Sequence, residues 1–205
     1  MTCVILQNMR YPAQHKAETH AKILTVAART FRERGAEGNG IGSVMKKIGL
    51  TKGGFYRHFE SRDQLYVEAV EQAFSEMAEG MVSVAEAAPK GQQLKAMIER
   101  YLSVDHLNTP GSGCVFSTLG ADMARQPIAI RKQINQSMQA YRDRLLPYMP
   151  GRTAEEKTEY FSLLYSSMVG VLITVRTIAD KHAQERMLAS ARDFFVRNFA
   201  RPRGI

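Results

Sequence analysis

Thr51-Lys-Gly-Gly-Phe-Tyr-Arg-His-Phe59, continued by Glu60-Ser-Arg-Asp-Gln-Leu65, is the stretch on which the reading of this chain turns. Thr51 is a favourable N-cap, and Phe55 and Phe59, four residues apart, share one side of the helix it opens. The other side presents Lys52, Gly53, Tyr56, Arg57 and His58, which are basic, hydrogen-bonding or small. Gly53 and Gly54 each cost a helix about 1 kcal/mol against alanine. Glycines on an exposed helical face make sense where another surface, such as a DNA backbone, must approach closely. Upstream, Val44, Met45 and Ile48 form the apolar stripe of a short helix that Gly49 closes, with Leu50 packing inward. Before it, Ile23, Ala27 and Phe31, flanked by Leu24 and Ala28, mark a first helix ended by Gly35. Two short helices joined by a glycine-containing turn describe a helix-turn-helix.

The charge distribution agrees. The 205 residues hold 28 Lys/Arg and 20 Asp/Glu, a net charge of +8, and residues 1–60 alone hold ten basic and four acidic side chains. Three quarters of the excess therefore sits in the first sixty residues, which marks a local polyanion site better than an evenly solvated surface. Gly38-Asn-Gly40-Ile-Gly42 invites a dinucleotide-loop reading, but no strand precedes it and that loop needs strand, turn and helix.

The quoted stretch resembles the DNA-binding signature of the TetR family of bacterial repressors, in spacing as well as residue type. The likeness covers roughly residues 15–75. It implies that Thr51, Lys52, Tyr56 and His58 contact DNA backbone, that Gly53 permits close approach, and that Arg62 is a basic position opening the fourth helix. Gly54 and Arg57, with Tyr56, are then the readers of base identity. Where the family opens its second helix with Thr and a basic residue, this chain has Gly40 and Gly42, so Ser43, Lys46 or Lys47 is expected to compensate.

The remainder reads as all-helical. Ser61-Arg-Asp-Gln64 is a capping box opening a long helix to about Ala87. A fifth helix is expected from Gln92 to His106, a sixth from Cys114 to Arg125, and a seventh from Pro127 to near Pro147. A second capping box, Thr153-Ala-Glu-Glu156, opens an eighth to about Ala179, and a ninth covers His182 to Ala200. The division is an N-terminal extension over residues 1–14, a three-helix DNA-binding domain over 15–62, and a larger ligand-binding and dimerisation domain over 63–205. Met9 offers a second translation start.

In the last two helices Leu163, Leu164, Val171, Leu172 and Val175 are apolar nearly all round, with Ser166, Ser167 and Gly170 small enough for close helix approach. Phe194, Phe195 and Phe199 add aromatic bulk. The dimer surface is expected at Leu164, Ser167, Gly170, Val171, Phe194 and Phe195; the resemblance implies a four-helix dimer bundle, and a palindromic operator needs a two-fold protein. A small-molecule cavity is expected among Met77, Met81, Met97 and Tyr101, with Phe116, Met123 and Met138. Tyr141, Tyr165 and Met168 complete that set, which equally suits a core, methionine being adaptable.

Cys114 follows Gly111-Ser-Gly113 at a helix start, where backbone N–H groups lower a thiol pKa. The Gly-Cys pair resembles a TetR subgroup that includes electrophile sensors; the other reading is a small buried side chain fixing the helix start. Cys3 and Cys114 make at most one disulfide and no zinc constellation.

No Gly-x-Ser-x-Gly elbow, His-Glu-x-x-His, Walker loop or Glu-x-x-His pair occurs, so no enzyme is expected. The five histidines, His15, His20, His58, His106 and His182, have no metal-ligand spacing, and no cofactor is expected. The uncharged run from Tyr160 to Val175 falls short of the roughly 20 apolar residues of a membrane span. The reading is a cytoplasmic, homodimeric, ligand-responsive repressor that binds double-stranded operator DNA and leaves it for a small-molecule or electrophile inducer, with no membrane partner. The alternative is a basic helical protein on RNA or an anionic membrane surface.

Overall fold

The computed structural model describes residues 13–36 and 40–200, which are helices and their connections with no strand. Helix α1 (Ala13–Arg34) buries Ile23, Ala27 and Phe31 and ends at Gly35, whose φ of 76° lets its N–H reach the Phe31 carbonyl at 2.8 Å. Ala13 and Gln14 therefore belong to α1, while the rest of the expected extension, Cys3 included, and residues 37–39 of the glycine loop lie outside the described residues.

Helix α2 (Ile41–Lys47) turns at Gly49 into a single 3-10 segment, Lys52–Arg57, where an α-helix was expected. Thr51 still caps it, its Oγ accepting the Gly54 N–H at 3.3 Å. Adjacent Gly53 and Gly54 oppose α-helix propagation, so the segment keeps the tighter turn. Phe55 and Phe59 nevertheless point inward and stack at 5.3 Å beneath α1 and α2.

Helix α3 (Arg62–Ala87) is the spine, packing on α1 at one end and on α4 and α7 farther along. Its cap is not the reciprocal box the sequence predicts. Ser61 Oγ accepts the Gln64 N–H at 3.0 Å, but the Gln64 amide oxygen takes the Glu60 N–H at 2.6 Å. The expected fifth helix is broken into α4 (Gln93–Tyr101) and α5 (Val104–Asn108). Ser103 causes the break: its hydroxyl donates to the Arg100 carbonyl at 2.8 Å and accepts the His106 N–H at 3.1 Å, ending one helix and capping the next.

A tight turn, Pro110–Ser112, leads to α6 (Val115–Arg125), with Cys114 in the capping position. Helix α7 (Ile128–Leu145) follows Pro127, and a 3-10 turn at Leu146–Tyr148 takes the chain round. Helix α8 (Ala154–Arg176) opens with the full capping box of Thr153 and Glu156, and α9 (Lys181–Phe199) packs along α8 and α4. One apolar core runs through the head (α1, α2 and the 3-10 segment) and the body (α3 to α9).

Candidate functional site

In the head, α1, α2 and the 3-10 segment bring most of the sequence-predicted residues onto one exposed surface. Lys46, Thr51, Lys52, Gly53, Tyr56 and Arg57 are exposed, Tyr56 by 66%. Ser43 and Gly54 are half-buried. Two predicted cations already have internal partners. Lys47 donates to Thr30 Oγ at 2.8 Å, tying α2 to α1, and Arg62 donates to the Ala36 carbonyl at 2.7 Å, tying α3 to the end of α1.

Between the first turns of α1 and the 3-10 segment lies a concavity of about 470 Å³, lined by His15, Lys16, Thr19, Leu50, Gly54, Arg57 and His58. Among the described residues no carboxylate lines it. Sequence reasoning missed the α1 contribution; the signal was His15-Lys16 at the start of a helix whose apolar face was already assigned. Leu50, expected inside, stands at this rim. His58 is half-buried, and burial first, then the neighbouring His20 and Lys16, hold its pKa below the usual imidazole range. His20 stacks on Phe59 at 4.4 Å and donates to Glu68 at 2.8 Å, bracing this corner against α3.

The body gathers the predicted cavity residues into two spaces. Met81, Met97, Tyr101, Tyr141, Tyr165 and Met168 surround an inner void of about 20 Å³, room for about one water. Phe116 and Met138, again with Tyr141 and Tyr165, line an open groove of about 490 Å³ between α7 and α8. Phe161, absent from the prediction, stacks on Tyr165 at 5.2 Å and faces both spaces. Met77 touches the assembly through Tyr165, whose hydroxyl lies 3.7 Å from its sulfur. Met123 is buried in the core and lines neither space.

Cys114 opens α6 as expected and is 0% exposed, the burial that the second reading of this residue describes. The sulfur sits 3.1 Å from Tyr165 Oη. The Cys114 N–H donates to His106 Nε2 at 3.0 Å, and His106 Nδ1 lies 2.6 Å from the Tyr101 carbonyl. A carbonyl only accepts, so Nδ1 carries the proton and Nε2 is the free acceptor. Burial holds the His106 pKa down, in keeping with this neutral tautomer. Burial, then the nearby Cys114, raises the Tyr165 phenol well above its usual value, so Tyr165 stays protonated.

The loop just before Cys114 joins body to head. Arg32 of α1 is buried, donates to Glu76 of α3 at 2.6 Å, and reaches the Gly113 carbonyl at 3.5 Å. Gly111 packs so closely on α1 that a Cβ there would come within 2.6 Å of Glu33 Oε1 and 2.9 Å of Arg29 Cγ. Farther along α6, Asp122 accepts the Ala36 N–H at 3.2 Å. From the other side Arg176, at the end of α8, donates to Ser117 Oγ at 2.9 Å and to the Leu107 carbonyl at 3.4 Å.

Of the predicted dimer residues, Leu164 and Phe195 are corrected: 2% and 6% exposed, they belong to the chain's own core. Their side of each helix faces inward with Phe161, Met168 and Leu188. Ser167, Gly170 and Phe194 face outward, and Val171 is half-buried. Leu163 and Ile173, 67% and 45% exposed, extend that outward stripe along α8. Helix α8 is long and apolar enough to cross a membrane by length and composition, with one face packed and one open.

Residues 23–69 match the family profile described as "Bacterial regulatory proteins, tetR family". The HTH-type transcriptional regulator AcrR of Shigella flexneri is 34% identical over 70 residues, 34% of this chain and 33% of AcrR. The HTH-type transcriptional regulator LmrA of Bacillus subtilis (strain 168) is 38% identical over 56 residues, 27% of this chain and 30% of LmrA. The chain thus spans about a third of the length of these curated relatives. Over the whole fold it is similar to the reduced form of E. coli NemR, with a TM-score of 0.71 at 16% identity, covering 91% of this chain and 100% of that one. A TetR transcriptional regulator from Chloroflexus aurantiacus J-10-fl gives a TM-score of 0.69 at 20% identity, covering 91% and 98%. At these identities the likeness is one of fold.

Proposed function

We propose, from the match of residues 23–69 to the TetR family profile, that this chain is a DNA-binding transcriptional repressor that leaves a palindromic operator when a small molecule occupies its body. The observation that carries the reading is the exposed surface of Lys46, Thr51, Lys52, Tyr56 and Arg57 around the 3-10 segment, beside a concavity lined by His15, Lys16, Arg57 and His58. In this reading residues 15–62 form the DNA-binding unit and residues 63–205 the sensing and dimerising unit, and the protein works in the cytoplasm, where the operator is. Lys52, Thr51 and Lys46 hold phosphates, with Ser43 and His58 as neutral partners. Gly53 lets the DNA backbone close in, and Gly54, Tyr56 and Arg57 face the base edges. Lys16 adds a phosphate contact from α1, and Arg62 acts through its hold on Ala36.

The outward stripe of Leu163, Gly170, Ile173 and Phe194 supports a two-fold dimer through α8 and α9, which sets two heads on half-sites one helical turn, about 34 Å, apart. Release requires that the small molecule bind the conformation without DNA better than the one with it. Arg32, Gly111 and Gly113 offer the mechanical link: a shift of Cys114 displaces the loop on which α1 rests.

The test is a mobility-shift titration with the DNA flanking the protein's own gene, against a scrambled duplex, at about 0.15 M salt. Binding to the flanking DNA at least about 1000-fold tighter than to the scrambled duplex is expected. Equal affinity for both, or tighter binding to RNA, overturns the reading.

A further inference from the structure

The groove between α7 and α8 has a chemical polarity that its apolar floor alone does not disclose. Four rings, those of Phe116, Tyr141, Phe161 and Tyr165, form the floor. They meet edge to face, tilted or stacked, with centroids 5.2–6.0 Å apart among neighbouring pairs, so they present a continuous aromatic surface. The rim is polar: amides from Asn135 and Gln139 on α7 face hydroxyls from Ser162 and Ser166 on α8. Among the described residues a single charge, Arg142, lines the groove, and no carboxylate does. Its guanidinium is held in place by Asp143, the next residue on α7, whose Oδ1 accepts from Nε at 2.9 Å and from Nη2 at 2.8 Å. The Arg142 side chain remains 31% exposed, on the groove side of α7. The space, about 490 Å³, lies in the range of small-molecule sites.

From this arrangement we infer that the α7–α8 groove binds a small aromatic monoanion, a carboxylate or sulfonate on a planar ring system, and that Arg142 is its specificity-determining residue. The inference rests on the reading of the chain as a ligand-responsive regulator and names the class of its ligand. The ring stack takes the planar body of the ligand, the amides and serines meet polar substituents at the rim, and Arg142 fixes the anionic end. A cation finds no counter-charge in the groove. A neutral ring gains the floor and leaves the guanidinium unused. Tyr165 lies directly under the ligand and touches Cys114 on its far side, so occupancy is felt one side chain from the loop that supports α1.

Two fluorescent probes that differ by one group test this: 8-anilinonaphthalene-1-sulfonate and its uncharged parent N-phenyl-1-naphthylamine, titrated against the full chain. Both should bind saturably at one site per chain. Arg142→Gln should weaken the sulfonate about three- to tenfold and leave the neutral probe unchanged, Arg142→Lys should fall between, and Phe116→Ala should weaken both. Salt provides a check that needs no variant. Raising KCl from about 50 to about 300 mM should weaken only the sulfonate. Equal behaviour of the two probes in Arg142→Gln and in salt overturns the proposal. So does loss of sulfonate binding in Leu163→Gln with no loss in Phe116→Ala, which would seat the probe on the outer face of α8. Sulfonate binding as described that leaves operator DNA bound upholds the site and overturns the release mechanism. Sulfonate binding indifferent to Arg142 in a protein still released from DNA by other small molecules does the reverse.

Discussion

The basic concavity of the head and the α7–α8 groove of the body are of nearly equal size, about 470 and about 490 Å³, and the two are lined in opposite ways. Around the head concavity stand His15 and Lys16 from the start of α1 and Arg57 and His58 from the end of the 3-10 segment; across the body groove lie four rings and one guanidinium. The first is a shallow basic surface suited to a repeating polyanion, for which many weak phosphate contacts add up. The second suits a single small molecule held by area and one charge. Between them runs the 109–114 loop, touching Arg29, Arg32 and Glu33 on one side and Tyr165 on the other. The contrast teaches that the two functions need not share a residue; they need a shared loop.

Assembly separates the two regions most sharply. If dimerisation belongs to the body, Gly170→Arg should abolish it. That position is exposed, a Cβ there would meet no other heavy atom within 4 Å, and the new charge would be buried only between copies. The expected loss is several kcal/mol of association. Light scattering should give a dimer for the parent at micromolar concentration and a monomer for the variant, with unaltered helical content. A dimeric variant, or a monomeric parent, removes the α8–α9 face from the reading.

The next largest effect probes the junction. Arg32 is almost fully buried against Glu76, which is one third exposed, so Arg32→Leu should cost about 2–3 kcal/mol, less than a fully buried pair loses. Thermal melting checks that figure. The more telling readout is response: the variant should bind operator DNA within a few-fold of the parent yet respond weakly to groove ligands. Unimpaired release would show that head and body communicate by another route.

The head was legible because its signature is local. Residues from Thr51 to Leu65 specify a cap, two core phenylalanines and an exposed basic face within a few turns, and neighbours in sequence are neighbours in space. Even there the helix type was misread, because Gly53-Gly54 weakens α-helix and the family pattern does not encode which helix forms. In the body the helix boundaries were mostly readable from Pro127, Thr153 and the apolar periods, but Ser103 broke a helix by side-chain competition that periodicity cannot register. The sites were harder. Leu163 and Leu164 are adjacent and chemically identical, and which one faces outward depends on where α9 packs. Nothing in the sequence sets Arg142 apart from the other charges of α7; it shares the groove with Phe161 and Tyr165 only because α8 packs beside α7.

A pH dependence sharpens the comparison on the body side. His106 is held neutral by burial, with a folded pKa below the unfolded value of about 6.5. The unfolded chain then binds more protons as pH falls, so the stability His106 contributes is complete above about pH 6.5 and is lost below it, toward the folded pKa. Melting temperature should fall between about pH 7 and pH 5.5, and His106→Gln, which keeps an acceptor for the Cys114 N–H, should flatten that fall. His58 in the head titrates with the same sign, so the double variant with His58→Gln should be flatter still. An unchanged slope in His106→Gln would mean that Nε2 does not carry the bond to Cys114.

On the head side a smaller change is expected from Lys52→Ala. An exposed lysine on one phosphate contributes about 1 kcal/mol, and its loss should lower affinity for every duplex alike while reducing the salt slope by about one. Arg57→Ala should instead alter the ranking of operator variants. If Lys52→Ala keeps both affinity and slope, the 3-10 segment does not face the DNA backbone.

The smallest effect is expected at Cys114, which ends the loop that joins the two regions. Its thiol has no exposed surface and lies against the Tyr165 hydroxyl, so an alkylating reagent such as iodoacetamide should modify the folded protein at least about tenfold more slowly than the unfolded chain, the thiolate being both the reactive form and the form that needs access. Cys114→Ser keeps a donor and acceptor beside Tyr165 and should shift stability by less than about 1 kcal/mol. A protein released from DNA by non-covalent occupancy of the groove should respond normally in the serine variant, because Tyr165 still transmits the ligand's contact. An electrophile sensor would behave otherwise: the parent would be released by quinones or aldehydes, and the serine variant would stay bound. Measuring DNA release by both kinds of compound in both proteins decides between a cysteine that senses and a cysteine that seals the start of α6, and the burial of the sulfur favours the seal.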